Sequence, residues 1–408
     1  MTAIAGLRGT GDWGADERPK NFRETILWRD PNGSAPITAL TAKMKKEVTD
    51  DPEFAWWEEE LKPIRLQVAA VATTAQTSIT IDTTEDATAL DVVAGDVLLV
   101  ESLETTSYGF ELVEVTTTPT ASTPLVITRG AANTTPATIA TSTYLLKIGS
   151  AYAEGTTSPD ASTRNPTKYL NYTQIFKTKY SITNTAKNTK LRTGDALGND
   201  KKRKMFDHAA AMEQAWLFGV PYETTGANSK PKRYTGGLYH KLASVYDATA
   251  RPTIKIWTTT TVTEEDILDA TYQMWDFNPS QSGNERIGFC GNGFLNYLNK
   301  IVQADSATRI SYAGVINVYG MKLTQWILPQ GVIYLRTHPL MNVNTRFTNG
   351  CFIINPGTLV YRPMKGRDTA FKDNIQANDS DSTDGQWITE AGLEIHHAGT
   401  MRYLAIQA

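Results

Sequence analysis

Apolar positions along this chain fall into different rhythms, and each rhythm predicts a different kind of element. Between residues 66 and about 150, Thr, Val, Ala and Ile dominate, and short apolar runs are broken by turn residues. Candidate strands are 78–81, 97–101, 110–116, 125–129 and 143–148, separated by Gly95-Asp96, Ser107-Tyr108-Gly109, Pro119, Pro124, Gly130 and Pro136. Short strands at this spacing predict a small β-barrel or sandwich. Aromatics are few there, so its core is expected to be built from Val, Leu and Ile.

The rhythm changes after a Pro- and Thr-bearing loop at 155–168. Alternation at Tyr172, Gln174 and Phe176, and again at Tyr180 and Ile182, predicts an extended two-stranded ribbon with a polar tip, running to about Asn188. Such an arm holds little that forms a core of its own, and a lone hairpin is marginal in water. It is therefore expected to rest on a neighbouring molecule, which suits a building block better than an enzyme. A long helix follows, beginning between Asp195 and Asp200. Met205, Ala209, Met212 and Trp216 make one stripe, flanked by Phe206, Ala210 and Leu217, and the helix stops at Gly219 with Pro221 just beyond.

Elsewhere the signals are mixed. Residues 1 to about 24 are polar and Gly-rich and read as a draped arm. After the turn Asp30-Pro31-Asn32-Gly33, a short helix is expected with Ile37, Leu40, Met44 and Val48 at helical spacing. The adjacent Trp56 and Trp57 cannot both face one small core, so at least one is expected to pack against another element or subunit. From Thr261 the pattern is mixed α/β. Thr263 to Asp266 resembles a capping box with Asp in the acceptor position, and a strand at 286–290 leads to a helix opening at Asn292. Strands are expected at 315–319, 321–327 and 332–336, then at 351–354, 359–361, 387–396 and 401–406.

Composition sharpens this picture in one respect. The 408 residues suffice for two or three domains, and a net charge of −3 exerts no global pull on nucleic acid or membrane. Between residues 66 and 165, however, eleven acids face only Arg129, Lys147 and Arg164, a charge of −8, which leaves +5 for the remainder. Lys201, Lys202, Arg203 and Lys204 lie near the start of the long helix, the end that the macrodipole makes unfavourable for cations. A neighbour's carboxylates or packaged phosphates are candidate compensation, as is plain solvation. No apolar run approaches the roughly 20 residues of a membrane span, and the first 18 residues lack the apolar region of a signal peptide. Cys290 and Cys351 sit in apolar runs and read as buried, reduced thiols of a reducing cytosol.

Candidate chemistry is sparse. His396 and His397 are adjacent on an expected strand and point to opposite faces. Gly291-Asn292-Gly293 lacks the third glycine of a dinucleotide fingerprint. Asp379, Asp381 and Glu390 match positions 1, 3 and 12 of a calcium loop, but Asp384 stands where glycine is required. No P-loop, nucleophile elbow or zinc-protease motif occurs, so no catalytic residue, cofactor or metal is expected.

The order of parts carries a resemblance. Ile26-Leu27-Trp28-Arg29-Asp30-Pro31-Asn32 is followed by Phe54-Ala55-Trp56-Trp57-Glu58, a β segment, Asn171-Tyr172-Thr173-Gln174-Ile175-Phe176, and a helix ending Met212-Glu213-Gln214-Ala215-Trp216-Leu217-Phe218-Gly219. Over most of its length the chain resembles tailed-phage major capsid proteins of the Hong Kong 97-type fold, in particular a group with a tryptophan-rich arm and an inserted β-domain. The resemblance implies an α+β fold with residues 1–65 as N-terminal arm and 66–150 as the inserted small β-barrel or sandwich. It further implies 151–195 as an extended loop over a neighbouring subunit, 196–262 as the peripheral domain with its spine helix, 263–350 as the axial domain and 351–408 as peripheral return strands. The implied function is self-assembly, through hexameric and pentameric capsomers, into an icosahedral or prolate shell around double-stranded DNA. The implied protein partners are scaffold, portal and cement or decoration proteins, with no membrane. Trp28, Trp56, Trp57, Tyr172, Gln174 and Phe176 become candidate interface residues, and Lys201–Lys204 become candidate DNA-facing or carboxylate-paired residues. Covalent cross-linking, known in some relatives, has no local motif here. The alternative class is a phage tail or receptor-binding adhesin, suggested by the Thr-rich β segment, although no fibrous repeat supports it. An enzyme with a β accessory domain is the weaker third option.

Overall fold

The computed structural model describes residue 37 and residues 45–59, 64–82, 92–101, 110–119, 124–161, 163, 165–191, 194–245, 252–259, 261–276, 283–304, 312–318, 321–343 and 345–407. Trp28 lies outside them, as does most of the N-terminal arm. Of the expected short helix Ile37 and Val48 are described, and Val48 is not helical, because the residues before it, Lys45–Lys46, pair as a strand with Val360 and Tyr361. Contacts divide the chain into two compact units, one of Met1–Trp56 with Leu170–Ala408 and one of Trp57–Tyr169.

The smaller unit is built on a six-stranded antiparallel sheet. Its strands stand in the order Arg65–Gln67, Tyr144–Ser150, Asp96–Val100, Leu112–Val115, Leu125–Thr128, Ser78–Ile79. A bridge between Val68 and Ile81, continuing the first and last of these, brings the two edges together as a small barrel. All five strands expected from the alternation are present, within a few residues. Alternation buries one face: Leu66, Leu98, Val113 and Leu145 are inaccessible, and among the described residues no aromatic joins them. One ion pair is buried with this core. Arg129 grips Glu111 through two hydrogen bonds, Nε to Oε1 at 2.6 Å and Nη2 to Oε2 at 2.7 Å.

The larger unit holds two sheets. In the first, Lys45–Lys46, Leu359–Pro363, Ser382–Ile395 and Gln174–Thr183 are neighbours in that order, and Ala370–Asp373 also pairs with the long Ser382–Ile395 strand. The second has seven strands in the order Ile254–Trp257, Arg402–Ile406, Gly350–Ile354, Glu285–Cys290, Val332–Thr337, Met321–Ile327, Tyr312–Val318. Its central strands are apolar runs buried on both faces. Ile287, Phe289, Phe352 and Tyr403 point to the side of the long helix, while Cys290, Cys351, Ile353 and Leu404 point to the helices Glu264–Thr271 and Asn292–Ala304. The capping box at Thr263 and Asp266 forms in both directions.

Two further expectations are corrected. The arm from Gln174 onward is not a free ribbon awaiting a neighbour. Gln174–Thr183 pairs along its whole length with Ser382–Ile395, from Gln174 opposite Ala391 to Thr183 opposite Ser382. Its inward side chains Phe176, Tyr180 and Ile182 are buried in this chain. The final segment, expected to return to one sheet, divides between two. Leu359–Pro363 and Ser382–Ile395 belong to the first sheet, Gly350–Ile354 and Arg402–Ile406 to the second. Among the described residues, a two-stranded ribbon does occur where Glu53–Glu58 pairs with Thr167–Tyr172, and another where Tyr222–Thr225 pairs with Pro231–Tyr234.

Candidate functional site

The long helix spans Ala196–Phe218. Asp195 caps it, its carboxylate accepting from Leu197 N at 3.1 Å and Gly198 N at 2.9 Å. That cap satisfies the first orphan donors and places an anion at the positive end of the dipole. Lys201 is therefore more than a turn into the helix, where the dipole penalty has faded. Aspartates answer three of the four cations. Lys201 Nζ lies 3.5 Å from Asp373 and over the Phe371 ring, Arg203 lies 3.9 Å from Asp200, and Lys204 lies 3.1 Å from Asp207. Lys202 is exposed. The expected apolar stripe is buried only in its C-terminal half: Met212, Trp216 and Leu217 are in the core, whereas Met205 is 53% exposed.

The strand Gln174–Thr183 packs against this helix. Thr178 Oγ1 lies 3.1 Å from His208 Nδ1, and the Phe176 ring meets the His208 imidazole edge-on at 6.5 Å. His208 Nε2 is 2.8 Å from Thr389 Oγ1, so the imidazole ties helix, strand and neighbouring strand together. Burial pushes its pKa down, which favours a neutral ring. Tyr180 donates to Asp373 at 3.0 Å; burial first, and then that carboxylate, push the phenol up to about 12.

The candidate interface residues separate into two groups. Phe176 is buried, and so is Trp56, which touches Phe54 and His396 and lies under the Lys241 ammonium at 5.3 Å. Trp57, the next residue on an alternating strand, points the other way and is 63% exposed. The two adjacent tryptophans thus part as their spacing requires. Tyr172 and Gln174 are half-buried, and Gln174 Oε1 accepts from Thr235 N at 3.1 Å. Between them and the Tyr222–Tyr234 hairpin lies an open cleft of about 430 Å³, lined by Thr173, Gln174, Ile175, Lys230, Lys232 and Arg233 among others. Ile175 is half-exposed there, and Tyr222 and Val220 nearby in sequence are more so.

Pattern reading missed the residue that fixes this corner. Asn171 is buried, and its side-chain amide donates to Gly236 O and Leu393 O at 3.0 and 2.8 Å. Its carbonyl oxygen accepts from Gly236 N at 2.6 Å and Tyr172 N at 2.8 Å. An Asn beside a Tyr at a strand end reads as loop chemistry; its partners lie 65 and 222 residues away.

Among the described residues, no three His, Cys, Asp or Glu side chains are grouped to hold a metal. The calcium-loop spacing is not a loop, because its second half lies in the Ser382–Ile395 strand and Glu390 is paired with Arg367. His396 bonds Glu394, and His397 adopts a left-handed conformation (φ 47°) that opens a short turn. Gly291 and Gly293 serve close packing. A Cβ at Gly291 would lie 2.1 Å from Thr348 O, and one at Gly293 would lie 1.9 Å from Asn349 Oδ1. Among the described residues, no helix is long and apolar enough to cross a membrane.

The described residues thus form two sheets with a long helix, two exposed ribbons and a cleft that carries Lys230, Lys232 and Arg233. The family described as "SU10 major capsid protein" matches residues 6–404. The major capsid protein of Pseudomonas phage PaMx41 is 25% identical over 346 residues, covering 84% of this chain and 78% of that one. Among solved structures, the capsid of an empty GTA particle aligns over 97% of this chain and 98% of that chain, with 9% identity and a TM-score of 0.49. The capsid of Myoviridae phage XM1 aligns over 95% and 96%, with 8% identity and a TM-score of 0.44. The protein is a phage major capsid protein with an α+β fold, a chain that builds the virion shell. It belongs to the SU10 major capsid protein family.

Proposed function

We propose that this chain, made in the bacterial cytoplasm, forms hexameric and pentameric rings that close into an icosahedral or prolate shell around double-stranded DNA. Scaffold, portal and decoration proteins are the further partners of that pathway. The family match over residues 6–404 is the observation that carries the reading. In it, the peripheral role falls to the long helix with the first sheet and the axial role to the seven-stranded sheet. The extended element over a neighbour is the ribbon of Glu53–Glu58 and Thr167–Tyr172, in place of residues 151–195, because Gln174–Thr183 is committed to its own sheet. Trp57, Tyr172 and Gln174 meet the neighbouring subunit, and Trp56 and Phe176 support them from the core.

Electron microscopy of the purified full chain tests the shell. Closed particles or capsomer rings are expected, and monodisperse monomers or trimers overturn the proposal. Trp57→Ala separates contact from folding. An exposed aromatic that anchors an interface is worth about 2 kcal/mol per contact, whereas truncating an exposed side chain leaves stability within about 0.5 kcal/mol. Particle yield in sedimentation is therefore expected to fall steeply at an unchanged unfolding midpoint, and an unchanged yield sinks the role given to Trp57.

Lys202 is proposed to face packaged phosphates, since it is exposed and its three neighbours have acidic partners within this chain. Each phosphate contact adds to the salt dependence of binding. Lys202→Glu is expected to give normal shells that lose DNA at lower salt than the wild type. Identical retention across a salt series refutes the assignment.

A further inference from the structure

The seven-stranded sheet brings the chain's two cysteines face to face. Glu285–Cys290 and Gly350–Ile354 run antiparallel, with Cys290 directly opposite Cys351. Gly291 N donates to Gly350 O at 2.9 Å, so the 291/350 pair is hydrogen-bonded and the cysteines occupy the adjacent non-hydrogen-bonded pair. Residues so placed have Cα atoms about 4.5 Å apart and their side chains closest, within the span that a disulfide bridges. The two Sγ atoms are 2.8 Å apart. Both residues are fully buried, in the cluster that contains Phe294, Leu298, Leu335 and Leu404.

We propose that Cys290 and Cys351 are a disulfide-forming pair that takes a low-molecular-weight disulfide as its oxidant and closes a covalent staple between two adjacent strands. One protein thiolate attacks the small disulfide, releasing one small thiol and leaving a mixed disulfide. The second protein thiolate then displaces the other small thiol. In sum, two protein S–H bonds and the reagent's S–S bond break, and one protein S–S bond and two small thiols form. Two electrons and two protons pass to the reagent. The staple joins residues 61 positions apart, so it restricts the unfolded chain as well as the folded sheet.

Burial, and then the Cys351 sulfur, push the Cys290 thiol well above its ordinary range, so thiolate is scarce in the closed sheet. The reaction therefore belongs to the folding chain or to a locally opened sheet. In a reducing cytoplasm the pair stays a dithiol. The inference is independent of the shell geometry proposed above.

The full chain, purified under reducing conditions, is unfolded and refolded with oxidised glutathione, and a second sample is held in sub-denaturing urea with the same reagent. Both are then quenched in acid, denatured, alkylated with iodoacetamide and mapped by mass spectrometry. The expected result is loss of both alkylatable thiols, a linked Cys290–Cys351 peptide, and a urea midpoint that rises and returns with dithiothreitol. C351S is expected to carry a single glutathione adduct at Cys290 under the same conditions. Two alkylatable thiols in both wild-type samples, separate adducts on the two cysteines, or covalent dimers on a non-reducing gel overturn the proposal.

Discussion

Glu213→Leu is expected to destabilise the larger unit by about 2–5 kcal/mol, since it leaves two buried hydrogen-bond donors without their acceptor at about 1–3 kcal/mol each. Glu213 lies on the long helix, inaccessible to solvent. Its Oε1 accepts from His338 Nε2 at 2.8 Å and from Ile37 N at 2.7 Å. His338 is also inaccessible; among the described residues its Nδ1 has no hydrogen-bond partner, so the hydrogen bond of the ring is the one at Nε2, with the Phe289 ring edge-on at 5.8 Å. Leucine fills similar volume but leaves an imidazole N–H and a backbone N–H buried and unpaired. The Glu213 charge also offsets part of the burial cost of Arg336, which burial otherwise pushes below its ordinary range.

Eight of the nine tryptophans lie in the larger unit, so urea unfolding followed by tryptophan fluorescence reads this change selectively. Glu213→Gln keeps an acceptor and is expected to cost clearly less. The double variant with His338→Leu is expected to cost less than the sum of the singles, because the two act as one unit. A loss under about 1 kcal/mol in Glu213→Leu, or simple additivity, is incompatible with this account. The same contact holds Ile37, where the N-terminal segment enters the core.

Glu213 also shows where sequence reading reaches its limit. Within Met212-Glu213-Gln214 it reads as part of a solvated helix face, and only a partner 125 residues away makes it internal. The same holds for Gln174–Thr183. Its alternation announces a strand, but its partner strand begins some 200 residues further on, and the pattern alone left it resting on another molecule. Elements whose evidence is local fared well. The β-barrel strands carry their own alternation and turns, and Gly219 with Pro221 marks the helix end. The helix start was less legible because Asp195 caps a segment, Ala196 to Lys201, in which Leu197 is the one large apolar residue. That hidden turn created the supposed conflict between Lys201–Lys204 and the helix dipole. The buried Arg286 is a further case. It donates to Thr400 O at 3.2 Å, Gly283 O at 2.9 Å and Met274 O at 3.2 Å, contacts that no spacing rule reveals. Among the interface candidates, alternation did separate Trp56 from Trp57, because period two decides opposite faces without knowledge of the partner.

In the smaller unit, Arg129→Met is expected to produce the second large loss, about 3–5 kcal/mol at neutral pH, with a reversed pH dependence. Burial alone pushes the Glu111 carboxyl up. The two hydrogen bonds and charge of Arg129, with N–H donors from Ala137 at 3.1 Å and Gly130 at 3.2 Å, outweigh it and hold the carboxyl below its ordinary range. A group depressed in the folded state contributes stability that is present above the unfolded carboxylate pKa of about 4.3 and is lost as the pH falls through the folded value. The wild-type barrel should therefore weaken only below about pH 4. In Arg129→Met the burial penalty remains without its main compensation, so Glu111 takes up a proton more readily folded than unfolded. Stability should then rise on acidification from pH 7 towards 5. Hydrogen exchange of peptides within residues 66–145 in the intact chain measures this directly, since the barrel core contains no tryptophan. The double variant Arg129→Met with Glu111→Leu is expected to recover most of the loss, as replacing both members of a buried pair with apolar groups often does. If Arg129→Met instead weakens steadily from pH 7 to 5, the pair is not what sets the protonation of Glu111.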